Sequence, residues 1–112
     1  MIDLYEFGHI VVKGQHFTQD IIIFPDHIQS EWWRKESHKL VLEDLDTVFD
    51  AKPLTLIIGT GNDGILKVEE EVKEYCKENK IKLIVKKTKR ATQEYNALQS
   101  ESNIIAALHL TC

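Results

Sequence analysis

Nothing in this chain approaches the run of about 18 apolar residues that reads as a membrane-spanning helix. Its first residues, Met1-Ile2-Asp3-Leu4-Tyr5-Glu6, have neither the basic start of a secretion signal nor the Arg- and Ser-rich character of a transit segment. A soluble, cytoplasmic protein without membrane contact is therefore expected. Cysteine is scarce: Cys76 and Cys112 show no CxxC or zinc-ligand spacing, so reduced thiols are expected. Positive charge is not in excess, with 14 Lys and Arg against 18 Asp and Glu for a net charge of -4. The one dense cationic stretch is Lys86, Lys87, Lys89 and Arg90, so nucleic acid is not the expected partner. His9, His16, His27, His38 and His109 have no HxxxH or HExxH spacing, which leaves no metal site to assign. GxSxG and a P-loop lysine are missing too, so no catalytic residue is assigned and a non-enzyme is favoured.

Repeats, low-complexity tracts and linkers are also lacking, and residues 1–112 read as a single domain. A chain of this length buries roughly 60 to 70% of its unfolded surface, so it needs neither metal nor disulfide to fold.

The apolar pattern predicts an α/β fold. Residues 9–13 and 21–24 are β-branched runs that read as antiparallel strands, with Gly8 breaking the edge before them and Pro25-Asp26 turning the chain after them. Leu42, Leu45, Val48 and Phe49 recur with helical spacing until Pro53. Residues 54–58 form a short apolar run that reads as a central strand covered on both faces. Ile65, Val68, Val72, Tyr75 and Cys76 then mark the buried stripe of a helix, ended by Asn79-Lys80. Residues 81–85 read as a second strand and complete a parallel crossover. Thr88 stands where a helix N-cap belongs, Ala91, Tyr95 and Leu98 line the inner face of that helix, and residues 104–110 read as a last strand buried on both faces.

Between the central strand and its helix lies Gly59-Thr60-Gly61-Asn62-Asp63-Gly64, which spells the dinucleotide fingerprint G-x-G-x-x-G. The fingerprint also needs an acid at the end of the next strand for the ribose hydroxyls, and Lys86 and Lys87 stand there instead. Too little chain follows for a second nucleotide-binding half, so no cofactor is expected. Two readings of the turn remain. Gly59 and Gly61 let the chain turn sharply and let a helix pack closely. Alternatively, the amides of Gly59, Thr60 and Gly61, at the start of a helix beginning near Ile65, hold a small anion or phosphorylated metabolite, with Arg34, Lys86 or Thr88 as partners.

Trp32-Trp33-Arg34 is the stronger functional lead, because Trp and Arg dominate protein interfaces. In an extended segment the two indoles point to opposite faces, one into the core and the other toward a rim or partner. His109, in an apolar run, reads as a core histidine partnered by Cys112 or Thr88.

Several segments together resemble a known family. They are Gly14 with Ile21-Ile22-Ile23-Phe24-Pro25-Asp26, Trp32-Trp33-Arg34, Leu56-Ile57-Ile58-Gly59-Thr60-Gly61, Thr88-Lys89-Arg90-Ala91 with Tyr95-Asn96, and Ala106-Ala107-Leu108-His109-Leu110-Thr111-Cys112. The pattern is similar to the small domain-of-unknown-function family that includes the mitochondrial respiratory complex I assembly factor 3 and the adipogenesis-associated domain protein. The resemblance implies one three-layer α/β domain, with a central mixed sheet, helices on one side and an N-terminal β-ribbon on the other. It also implies action through protein contacts, as for the mitochondrial member. The chain departs from the family in lacking a transit segment and in carrying Lys89 where many members have glycine. The expectation is a binding or assembly-factor-like protein with a protein partner of unknown identity, and the alternative is a binder of, or enzyme on, a small anionic metabolite.

Overall fold

A computed structural model describes residues Met1–Cys112. In chain order the elements are β1 (Ile2–Glu6), β2 (His9–Val12), β3 (Gln15–Phe17), β4 (Ile21–Ile23), β5 (Ile28–Gln29), β6 (Lys39–Leu40), a 3-10 turn (Leu42–Leu45) and α1 (Asp46–Asp50). They continue with β7 (Thr55–Thr60), β8 (Lys67–Val68), α2 (Glu70–Glu78), β9 (Lys82–Lys86), α3 (Thr88–Leu98) and β10 (Ile104–His109).

The centre is a five-stranded mixed sheet in the order β5-β4-β10-β7-β9. β10 pairs in parallel with β7, which pairs in parallel with β9, while β4 runs antiparallel to β10 and β5 antiparallel to β4. Both central strands are buried along their whole length, which explains why Ile104-Ile105-Ala106-Ala107-Leu108 is continuously apolar rather than alternating. Side chains of alternate residues go to two cores. Leu56, Ile58, Ile105 and Ala107 meet Leu45, Val48, Val72 and Cys76 on the face covered by α1 and α2. Ile57, Ile104, Ala106 and Leu108 meet Ala91 and Tyr95 of α3 with Ile2, Ile10 and Val12 of the ribbon β1-β2-β3 on the other.

The three-layer α/β class, with a central mixed sheet and a separate antiparallel ribbon, is thus the observed fold. Within it α3 shares the ribbon's face rather than that of α1 and α2. The chain passes outward from β7 through α2 to β9, then back across β7 through α3 to β10. Right-handed crossovers that run in opposite directions across a sheet must set their helices on opposite faces.

Two sequence expectations change. The antiparallel strands β2 and β4 belong to different sheets, because β3 takes the free edge of β2 and β4 pairs with β10. The amphipathic segment expected from Ile65 does not start as a helix. Leu66 and Val68 are core residues on or beside the short strand β8, which runs parallel to β6, and α2 begins only at Glu70. The three- and four-residue spacing of Ile65, Val68 and Val72 therefore spans a loop, a strand and a helix, and Ile65 is half-exposed.

Candidate functional site

The carboxyl ends of β7, β9 and β10 lie side by side, the place where open α/β sheets present ligand-binding residues. Strand register fills this end of the sheet in order. Leu108 lies opposite Ile21 in the antiparallel pair, which brings Asp20, just before β4, level with His109. His109 lies beside Thr60, and Gly59 beside Lys86.

Thr88 joins the three parallel strand ends. Its hydroxyl donates to the His109 carbonyl at 2.6 Å and accepts from the Gly61 N–H at 2.8 Å, and its own N–H donates to the Gly61 carbonyl at 3.1 Å. Thr88 is fully buried and is the first residue of α3, so its hydroxyl serves this junction and makes no cap to the helix. The Thr60 hydroxyl donates to the Lys86 carbonyl at 3.2 Å. A Cβ at Gly59 would lie 2.8 Å from Thr88 Oγ1 and 2.9 Å from Leu108 Cδ2, so glycine is what lets α3 seat against β7. At Gly61, with φ +102°, a Cβ would lie 2.5 Å from the Cys112 backbone and 2.8 Å from His109 Cδ2. The turn is thus filled by the segment after β10: Asn62 N–H donates to Thr111 O and Ile65 N–H to Cys112 O. No helix begins near Ile65, which corrects the expectation that helix-start amides border this turn.

Beside it lies a buried charged cluster. Asp20 Oδ2 accepts from Arg34 Nη1 at 2.8 Å and from His109 Nδ1 at 2.7 Å, and Asp20 Oδ1 accepts from the Leu110 N–H at 2.8 Å. The side chains of Arg34, His109 and Asp20 are 6%, 7% and 14% exposed. Burial acts to raise the Asp20 carboxyl, but the hydrogen bonds from His109, the Leu110 N–H and Arg34 outweigh it and hold Asp20 below the ordinary carboxylate range. An ionised carboxylate only accepts, so His109 Nδ1 carries the proton and has no lone pair for Arg34 Nη2, 3.1 Å away. His109 Nε2 and Arg34 Nε are buried without a protein hydrogen-bond partner. Tyr5 donates to the Leu110 carbonyl at 2.9 Å. Burial first, then the Asp20 and Asp63 carboxylates, raises its phenol pKa.

Arg34 also stacks over the Trp32 ring, 4.9 Å from its centroid, and donates to Ser37 O at 3.2 Å. Trp32 is 3% exposed, and its indole N–H donates to Asp44 O at 2.9 Å. The Asp44 carboxylate accepts from the Lys35 and Val41 N–H groups, so both ends of the loop are tied down. Trp33, between these two fixed neighbours, is 71% exposed. It borders a 440 Å³ groove shared with Gln29, Lys35, Glu43, Asp46 and Thr47.

Of the residues singled out in the sequence, the fold gathers Gly59, Thr60, Gly61, Lys86 and Thr88 at one junction, and connects it through His109 to Arg34 and Trp32. Trp33 stands apart on the surface, and the two indoles divide between core and solvent as expected. The ring of His109 bonds Asp20 rather than Thr88 or Cys112: Thr88 takes its carbonyl instead, and Cys112 Sγ lies 4.0 Å from His38 Nε2. Asp20 carried no motif. The signal for it was register, since an aspartate immediately before a buried strand lands beside whatever ends the neighbouring strand.

No helix is long and apolar enough to cross a membrane. Among solved structures, a conserved hypothetical protein from Pyrococcus horikoshii OT3 is 28% identical, with a TM-score of 0.86 over 100% of this chain and 99% of that one. A protein of Bartonella henselae described as an outer membrane protein is 24% identical, with a TM-score of 0.81 over 99% of this chain and 94% of that one. A Mth938-like domain from Bordetella pertussis is 20% identical, with a TM-score of 0.70 over 98% of this chain and 85% of that one. The last two likenesses concern the fold alone. A family profile described as protein of unknown function (DUF498/DUF598) matches residues 2–109, nearly the whole length, and the chain belongs to that family.

Proposed function

We propose that this protein is a non-enzymatic binding domain, acting through protein contacts in the manner of an assembly factor, with the Trp33 indole as its anchor. The observation that carries the reading is the 71% exposure of Trp33 between two residues that are locked in place. An exposed indole on a fixed backbone gives up large apolar area to a partner with little ordering cost, and Trp is among the commonest interface hot spots. Arg34, expected to share this surface, supports it from beneath: its guanidinium is committed to Asp20, Ser37 and the Trp32 ring. The same reading places the protein in the cytoplasm, where the free thiols Cys76 and Cys112 stay reduced.

The second reading, an anion held at Gly59, Thr60 and Gly61 with Arg34, Lys86 and Thr88, draws on the exposed Lys86 at the carboxyl end of the parallel strands. It must compete with internal bonds already made by Gly61 N–H, both threonine hydroxyls and Arg34. The test compares proteins captured from lysate by the wild type, Trp33→Ala, and Lys77→Ala at an exposed position of α2. A partner lost only with Trp33→Ala supports the contact surface, and identical capture by all three overturns it. Stabilisation by millimolar phosphate in a thermal-shift assay would favour the anion instead.

A further inference from the structure

The main sheet ends at β9, which pairs with β7 on one side and with no strand on the other. The Lys82 N–H donates inward to Leu54 O at 2.9 Å, and the Lys86 carbonyl accepts from Thr60 Oγ1 on the same side. Backbone groups alternate along a strand, so Lys82, Ile84 and Lys86 face β7, while Leu83 and Val85 turn their N–H and C=O groups outward. Their side chains are apolar and half-buried, and Lys82 and Lys86 at the two ends are exposed. An unpaired edge of this kind is a template for one more strand.

Charge decides which strand fits. Residues 79–93 contain Lys80, Lys82, Lys86, Lys87, Lys89 and Arg90 and no acid, in a chain whose net charge is -4. A second copy pairing antiparallel about Ile84 would set Lys82 against Lys86 of the other chain twice, and like charges directly opposite are destabilising. A strand with a carboxylate opposite each lysine would reverse that effect.

We propose that the outer edge of β9 is a docking site for an extended segment of a partner protein that carries Glu or Asp at both ends of a short apolar run. The segment adds a sixth strand to the sheet, bonding to Leu83 and Val85 through its backbone and to Lys82 and Lys86 through its acids. This surface is at the opposite edge of the sheet from β5, and it does not depend on the role given to Trp33.

The test titrates the full chain with the peptide Gly-Glu-Val-Ile-Val-Glu-Gly to millimolar concentration, followed by amide NMR and hydrogen exchange. The amides of Leu83 and Val85 should shift and exchange about tenfold more slowly. The lysine version, Gly-Lys-Val-Ile-Val-Lys-Gly, should bind about tenfold more weakly, the scale of two cross-strand ion pairs turned repulsive. Lys82→Glu with Lys86→Glu, both at exposed positions, should keep the fold and invert that preference. The proposal is overturned if the glutamate peptide leaves the Leu83 and Val85 amides unchanged, or if both peptides shift them alike. It is also overturned if a concentration-dependent dimer protects those amides, since a second copy is then the occupant. Polyuridylate binding to the lysines without protecting the two amides would overturn it as well.

Discussion

Asp20 and His109, 89 positions apart, meet through a 2.7 Å hydrogen bond from the imidazole Nδ1–H to a carboxylate oxygen that Arg34 also binds. This contact ties the loop before β4 to the end of β10, and the Trp32 loop to both.

Asp20→Ala removes the only carboxylate in the cluster and leaves the Arg34 guanidinium buried without its counter-charge. Breaking a buried pair from one side costs about 3 to 5 kcal/mol, so urea unfolding should shift by that order. A loss below about 1 kcal/mol would mean the pair is solvated like a surface ion pair.

The same group sets an acid limit. Because the folded-state pKa of Asp20 is depressed, the unfolded chain binds more protons in the range below the ordinary carboxylate value. Its stabilisation is complete above that value, about 3.9, and is lost as the pH falls through the lower folded value. The urea-midpoint difference between wild type and Asp20→Asn should therefore be widest near about pH 6 and should narrow toward about pH 2.

The adjacent tryptophans should separate cleanly in stability. Trp32→Ala empties a packed site and removes the bond to Asp44 O, for a loss of about 3 to 5 kcal/mol. Trp33→Ala should stay within about 0.5 kcal/mol of wild type, since its ring is mostly in solvent. Thermal unfolding of the two variants checks both, and equal losses would contradict the division between core and surface.

Gly61→Ala combines a left-handed backbone with a collision against the Cys112 main chain, which cannot move as the tip of a side chain can. It should cost more than about 1 kcal/mol, the usual scale for alanine where φ is positive. Its signature in amide NMR should be disturbance around Thr88 and His109.

The two thiols should differ in reactivity. Burial pushes the Cys76 thiol pKa up and closes it off, whereas Cys112 is partly exposed. Iodoacetamide followed by intact-mass analysis should add one group to the native protein and a second only on unfolding.

Much of the fold could be read from particular residues. The β-branched run at Ile21, Ile22 and Ile23 and the continuous apolar run from Ile104 each state a local preference that the tertiary structure keeps, whereas the Thr88 hydroxyl, expected to cap α3, is taken up by Gly61 and His109 instead. The Ile65 start failed because helical spacing and a strand beside a helix put the same residues, Val68 and Val72, into one core. The face taken by α3 was not a local property at all, since it follows from the direction in which the chain recrosses the sheet. For the site, Trp32, Trp33 and Arg34 stood out by residue type. Asp20 did not, because its importance comes from the His109 and Arg34 side chains that strand pairing and loop closure bring to it.

The position of β10 between β4 and β7 has a consequence for how the protein is made. It is the last strand of the sheet to leave the ribosome, and it alone joins the antiparallel half to the parallel half. Without residues 104–109 neither β4 nor β7 has a neighbour on its inner edge, so the central pairing waits for nearly the whole chain and the sheet cannot be completed strand by strand during synthesis.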